Sequence, residues 1–394
     1  MGDGTPGEVL AAFLKLGLSA FGGPVAHLGY FRAEFVERRK WLDEAAYADL
    51  LALCQFLPGP ASSELGMAIG LRRAGLPGAV CAWLGFTLPS AVAMILFGYG
   101  VGRFGDLGGA AWLHGLKIVA AAVVAQAVWG MARALAPDRP RITLAVVAAA
   151  IALLLPSTVG QLGAIALGAV VGAAWLRGGV PQATELRATR HGRTVGAAAL
   201  ALFALLLFGL PLLAPAAQAF AEASSFFRSG ALVFGGGHVL LPLLQASVVP
   251  PGWVGNDAFL AGYGAAQAVP GPLFTFAAYL GTVMGPAPNG WLGGLLCIVA
   301  VFLPGFLLII GVMPFWSALA GNRPVRDALR GVNAAVVGLV LAALYAPIWT
   351  SAILGPRDFL LALAAFLLLV FWRTPPWLVV LLGAGAAEVL ARLG

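Results

Sequence analysis

The sequence predicts an all-α polytopic membrane protein. It is read as two inverted homologous repeats joined by a linking transmembrane helix, each repeat with two re-entrant or broken-helix hairpins and about four transmembrane helices. Three observations predict this. Hydrophobic residues fill 61% of the 394 positions and charged residues only 10%, with a mean hydropathy of +0.94, whereas a soluble domain carries about 25% charge. The stretch "SAFGGPVAH" (19–27) returns as "LVFGGGHVL" about 213 residues later. The basic loop residues change sides between the two copies.

Taken in order, "MGDGTPGEVL" carries neither a basic n-region nor a small-residue cleavage site, so the first apolar segment is expected to be retained. The broken FGG segment (8–39) and the PGP segment (44–73) follow, then spans near 76–101, 110–135, 141–156 and 158–177. Runs such as 76–101, 110–135, 194–213 and 357–372 approach or exceed the roughly 20 apolar residues that cross a bilayer as helix. No ten-residue alternation of a membrane barrel is present. A polar linker and connecting helix (178–215) separate the N-terminal repeat (1–177) from the C-terminal one (216–394), whose ordinary spans are 290–314, 325–347, 357–372 and 375–392.

The alignment of the halves extends beyond the glycines. Phe21-Gly22-Gly23 falls on Phe234-Gly235-Gly236, Gln55 and Pro58-Gly59-Pro60 on Gln267 and Pro270-Gly271-Pro272, and Leu88-Pro89 on Leu303-Pro304. One connecting span between the copies inverts the second relative to the first. Loop charges agree: Arg32, Arg38, Arg39, Lys40, Arg72 and Arg73 follow the two broken segments of the first half, while 245–257 and 284–290 hold no Lys or Arg. The bias then swaps, with Arg323, Arg326 and Arg330 against Arg103 alone. By the positive-inside rule the N-terminus is cytoplasmic, and about nine full crossings result.

The net charge of +7 resides in such loops, so no nucleic-acid partner is expected. Cys54, Cys81 and Cys297 are isolated in apolar segments and read as buried small hydrophobes. No metal-ligand or cofactor spacing occurs, and HExxH, GxSxG, Walker A and paired catalytic carboxylates are all missing, which argues against an enzyme.

A helix broken inside a membrane frees backbone amides whose burial without partners costs several kcal/mol, so a break is retained where protein or water satisfies them. Glycine lets the chain turn, and proline at the start of the next half-helix removes an amide that would be orphaned. The remaining amides, with the positive end of the helix dipole, favour an anion. The four breaks supply Gly22, Gly23, Pro24, Gly59, Pro60, Gly235, Gly236, Gly237, Gly271 and Pro272 as candidate substrate-binding positions. Lys15 and Arg228 each lie six residues before the Phe of their break. A cation at the membrane core costs at least ~2.5–3.5 kcal/mol, which makes a polar cavity one reading and snorkelling the other. His27 and His238 are read as packed hydrogen-bonding residues or as proton relays. Glu64, in the first turn after Pro60, is a helix cap or a proton-coupling acceptor. Ser62, Ser63 and Thr275 provide hydroxyls at the PGP breaks, where capping is the alternative. Lys117 aligns with Asn333 and His114 with Arg330, a polar stripe on the helix after each hairpin.

Together "FGGPVAH", "FLPGPASSELG" and "VPGPLFTFAAYLG" resemble the chromate ion transporter family, in its long two-domain form, over nearly the whole chain. The resemblance implies an inner-membrane protein that exports chromate, recognised as an analogue of sulfate, with Phe21, Gly22, Gly23, Pro24, His27, Pro58, Gly59, Pro60, Pro270, Gly271 and Pro272 at the family-typical positions. The second copy departs from the first, with Gly237 in place of Pro24. Expected partners are chromate, with sulfate as the alternative, and the lipid bilayer. The sequence leaves open a sulfate or other oxyanion transporter of the same plan, and whether the chain forms a homodimer.

Overall fold

The computed structural model describes residues 4–21, 23–103, 111–176, 192–234, 237–316, 319 and 322–392. Among these the chain is helical, with no strand. Helix α1 (Pro6–Ser19) begins where Thr5 accepts the Glu8 amide and Pro6 takes the first position, and it stops at Ala20, ahead of the glycines. Helix α2 (Gly23–Arg32) runs on into a π turn (Ala33–Arg38). Asp43 caps α3 (Glu44–Phe56), which ends before Pro58-Gly59-Pro60.

Helix α4 (Ala61–Arg103) is two helices in one: the backbone leaves helical values at Ala74 and Gly75, and the two arms fold together. Gly70 and Gly78 meet so closely there that a methyl on either would overlap the other's carbonyl. The reversal falls where the sequence separates the PGP segment from the span beginning at 76. Next come α5 (Ala111–Leu135), α6 (Arg139–Leu154) and α7 (Thr158–Trp175), with Asp138 and Ser157 capping the last two. The connecting helix α8 (Arg193–Leu213) buries Gly196 and Ala199 and presents Leu205, Phe208 and Leu212 outward, as a lipid-facing helix does.

The second copy consists of α9 (Gln218–Ala231), α10 (Leu240–Val248), α11 (Asn256–Ala266), α12 (Phe276–Val283), α13 (Gly290–Val312), α14 (Arg323–Ala343), α15 (Pro356–Val370) and α16 (Pro376–Arg392). Single 3₁₀ turns, Gly237–Val239 and Leu273–Thr275, precede α10 and α12. Among the described residues 5 helices are long and apolar enough to cross a membrane, among them α4, α5, α8 and α13. The paired helices α6, α7, α15 and α16 have 16, 18, 15 and 17 residues. Their bounds lie within two residues of the expected spans, and at about 1.5 Å per residue they are at or below the short end of what crosses a ~30 Å hydrocarbon core.

The second arm of α4 and its counterpart α13 run antiparallel. Tyr99 Oη accepts the Trp291 amide at 3.0 Å, a methyl on Gly294 would meet Ile95 at 3.1 Å, and the Trp83 and Phe302 rings lie 5.8 Å apart. As one residue number rises the other falls. Equivalent helices that pack antiparallel are related by an axis perpendicular to them, so the copies are inverted in any bilayer these helices cross.

The halves also interleave. Helix α5 packs on α15 and α16 of the other copy, and α14 packs on α6 and α7. The seams match: a methyl on Gly115 would lie 2.6 Å from the Gly383 carbonyl, and one on Gly168 2.7 Å from that of Gly331, the residue that aligns with Gly115. Small residues let these backbones approach closely, as membrane helix interfaces require. Lys117 pairs with Asp257 at 2.9 Å and His114 with Asp358 at 3.1 Å. The polar stripe on α5 thus joins the copies.

Candidate functional site

The four helix breaks meet in crosswise pairs. The Gly59 amide donates to the Val233 carbonyl at 2.7 Å, and the Gly271 amide donates to the Ala20 carbonyl at 2.9 Å. Gly59 and Gly271 are equivalent, as are Ala20 and Val233, so each PGP break is tied to the FGG break of the opposite copy. Such reciprocity is what a two-fold relation produces. Both glycines hold a positive φ, +146° at Gly59 and +97° at Gly271, a region that side chains with a Cβ avoid. There is also no room for one. A methyl on Gly59 would strike the Glu64 carboxylate, and one on Gly271 would lie 2.9 Å from Ser90 Oγ and 3.0 Å from the Phe86 carbonyl.

The half-helix after Pro60 places Ser62, Ser63 and Glu64 in its first turn, all buried. Glu64 has no exposed surface, and neither of its oxygens, nor Ser63 Oγ, has a hydrogen-bond partner among the described residues. Opposite Glu64 is Gly305, where a methyl would sit 2.9 Å from Oε1. His27 bridges two breaks: Nε2 lies 3.2 Å from the Ala20 carbonyl and Nδ1 3.4 Å from Ser62 Oγ. A carbonyl only accepts, so Nε2 carries the hydrogen and Nδ1 is left to accept from Ser62. The imidazole stands edge-on to Phe86, centroids 5.1 Å apart. In the second copy Thr275 Oγ1 donates to the Pro272 carbonyl at 2.9 Å, and His238 Nδ1 lies 2.7 Å from Tyr263 Oη.

Of the remaining sequence candidates, Gly23 and Pro24 open α2, and Gly237 opens the 3₁₀ turn before α10. Gly22, Gly235 and Gly236 lie outside the described residues. The two cations differ in their partners. Lys15 Nζ is 3.5 Å from Glu34 Oε2, with 54% of its side chain exposed. Glu34 also receives Arg38 at 2.9 Å and Arg39 at 2.7 Å. Arg228 instead lines a cavity of about 400 Å³ between α9, α10, the end of α8 and the start of α7. Lys15 is thus paired with a carboxylate, and Arg228 faces a polar cavity, as one of the two sequence readings expects.

Several residues at the breaks escape sequence reasoning. Ala20 and Val233 contribute only carbonyls, which no side-chain pattern marks. Ser90 and Gly305 were within reach, because each directly follows the Leu-Pro pair that aligns between the halves. Among the described residues no group of three His, Cys, Asp or Glu is placed to hold a metal ion.

Inverted repeats with paired broken helices are the plan of many membrane transporters, and that is the class this fold fits. Within that class the chain belongs to the chromate transporter family, which matches residues 7–175 and again 220–388, one segment per copy. A chromate transport protein of Pseudomonas aeruginosa is 32% identical over 346 residues, 84% of this chain and 79% of that protein. A chromate transport protein of Cupriavidus metallidurans is 27% identical over 392 residues, 97% of this chain and 92% of that one. A probable chromate transport protein of Synechococcus elongatus is 27% identical over 337 residues, covering 84% and 81%. No solved structure matches.

Proposed function

We propose that this protein exports chromate, a divalent tetrahedral oxyanion, from the cytoplasm through a site at the junction of the four helix breaks. The crosswise hydrogen bonds of Gly59 and Gly271 carry this reading, because each sets the start of a PGP half-helix of one copy beside the end of the helix that precedes the FGG break of the other. Each helix end favours an anion by about 0.3–1 kcal/mol, up to ~2 when partly buried. The Ser63 hydroxyl is without a partner among the described residues and is the readiest further donor, while Ser62, Thr275, His27 and His238 donate to substrate by turning from the partners they hold here. Lys15 and Arg228 supply positive charge at the two approaches.

Glu64 is the proton-coupling group in this scheme. A carboxylate among these groups repels an anion, and protonation removes the repulsion. With the N-terminus cytoplasmic, the basic residues from Arg32 to Lys40 and at Arg72 and Arg73 face the side from which substrate enters. A cell interior negative by 100 mV favours expulsion of a dianion by about 4.6 kcal/mol, at ~2.3 per charge, so export runs downhill where accumulation does not.

Sulfate has the same shape and charge and satisfies the same donors. Expression in a chromate-sensitive host separates the two: lowered cellular chromate supports export, and raised sulfate uptake with unchanged chromate content supports the sulfate reading.

A further inference from the structure

The cavity beside Arg228 differs in chemistry from its surroundings. Four serines, Ser224, Ser225, Ser229 and Ser247, and the amide of Gln161 line it together with the guanidinium, and no carboxylate is among the lining residues. Arg228 makes no ion pair among the described residues, whereas Lys15, its positional counterpart, meets Glu34. Two serine hydroxyls are turned onto their own helices, Ser229 to the Ser225 carbonyl and Ser247 to the Leu243 carbonyl, each at 2.8 Å. A hydroxyl held only by its own helix turns to a stronger acceptor without disturbing the fold. Gln161 Nε2 is committed to the Pro242 carbonyl at 3.2 Å, which leaves its buried Oε1 without a partner, an acceptor for a water.

The position of the cavity has a consequence for transport. Its inner wall is Leu232, the neighbour of Val233, whose carbonyl holds the Gly59 amide. Its rim comprises Pro211, Ala214 and Pro251, at the end of α8 and in the loop after α10. By the topology proposed above, every rim segment faces away from the cytoplasm.

From this geometry we infer that the cavity is a second oxyanion site, an outer vestibule in which Arg228 and the serine hydroxyls hold a hydrated tetrahedral oxyanion between the helix breaks and the outside. A single guanidinium with hydroxyl donors and no opposing carboxylate suits an oxyanion over a cation or an apolar molecule. The volume of about 400 Å³ leaves room for its water. The inference rests on the proposed export reading for its direction, but the binding itself does not depend on transport.

The test uses the full chain carrying Ser247→Cys, in cells or sealed vesicles of known sidedness, with a membrane-impermeant maleimide as reporter. The parent protein, with Cys54 and Cys297 buried and Cys81 partly exposed, sets the background. Sulfate is the probe, because it does not oxidise the thiol. The expected result is labelling from the external face that sulfate slows several-fold. Arg228→Gln should raise the sulfate concentration for half-protection by about tenfold or more, and Arg228→Lys, which keeps the charge, by less. Labelling that ignores sulfate, labelling from the cytoplasmic face alone, or no labelling from either face overturns the inference. Protection in a protein that leaves cellular chromate unchanged would sink the export reading and leave the vestibule standing, and export without protection would do the reverse.

Discussion

Gly271→Ala isolates the crosswise tie between the copies. The substitution adds one methyl at a backbone φ of +97°, a strained conformation for any residue with a Cβ and worth about 1–3 kcal/mol. The methyl would sit 2.9 Å from Ser90 Oγ and 3.0 Å from the Phe86 carbonyl. Relieving that overlap costs about another 1–3 kcal/mol, and part of it falls on backbone that has nowhere to go. The expected destabilisation is therefore about 2–6 kcal/mol, concentrated where Gly271 bonds Ala20. Thermal unfolding of the detergent-purified protein should drop by several degrees, and cells expressing the variant should accumulate chromate as cells without the protein do. Adding Ser90→Ala removes the nearer contact but neither the carbonyl nor the φ, so recovery should be partial. Gly285→Ala, where nothing lies within 4 Å of the added methyl, is the neutral control. A Gly271→Ala protein with the parent's unfolding temperature and full export would refute the claim that this bond holds the two copies in register.

Glu64→Gln keeps the volume and removes the titration. The variant should insert and fold as the parent does, yet its export should lose the dependence on pH that the parent shows in vesicles; an unchanged pH profile would exclude Glu64 from coupling. Lys15→Gln leaves Glu34 held by Arg38 and Arg39, so folding should be preserved. Chromate export should then need at most about fivefold more substrate, the equivalent of ~1 kcal/mol for an exposed charge, and a larger loss in export assays would mean that Lys15 touches substrate directly. Asp138 caps α6 through the Arg141 amide at 3.0 Å. Hydrogen bonds from the Arg141 side chain and backbone also hold its carboxyl below the usual aspartate range. A depressed folded-state value contributes stability that is full at neutral pH and is lost as pH falls through about 3.8 and below. Asp138→Ala should cost about 0.5–2 kcal/mol at pH 7, a difference that should shrink in acid melts.

The sequence made the breaks legible because Gly and Pro inside an apolar run have few innocent explanations, and the repeat made them legible twice. Loop charge marked the inversion, which the antiparallel packing of α4 on α13 bears out. The partners of each helix were not legible. In a membrane the same apolar surface faces lipid or protein, so hydrophobic periodicity does not say that α5 leaves its own copy to pack on α15 and α16. Nor did it say that Lys15 pairs with Glu34, because that contact depends on a π turn at Ala33–Arg38 that changes which side chains face α1. Arg228 and Lys15 hold equivalent positions in the sequence. They part in the structure because α8, which has no counterpart in the first copy, walls the cavity on one side only.

The exchange of helix pairs between copies bears on how the chain is made. As synthesis proceeds, α6 and α7 enter the bilayer long before α14 is available to cover their glycine seams, and α5 waits still longer for α15 and α16. The first half therefore spends its early life as an open clasp, and closure waits for α15 and α16. Truncation near the C-terminus should thus injure α5, some 250 residues upstream, more than it injures the nearby connecting helix.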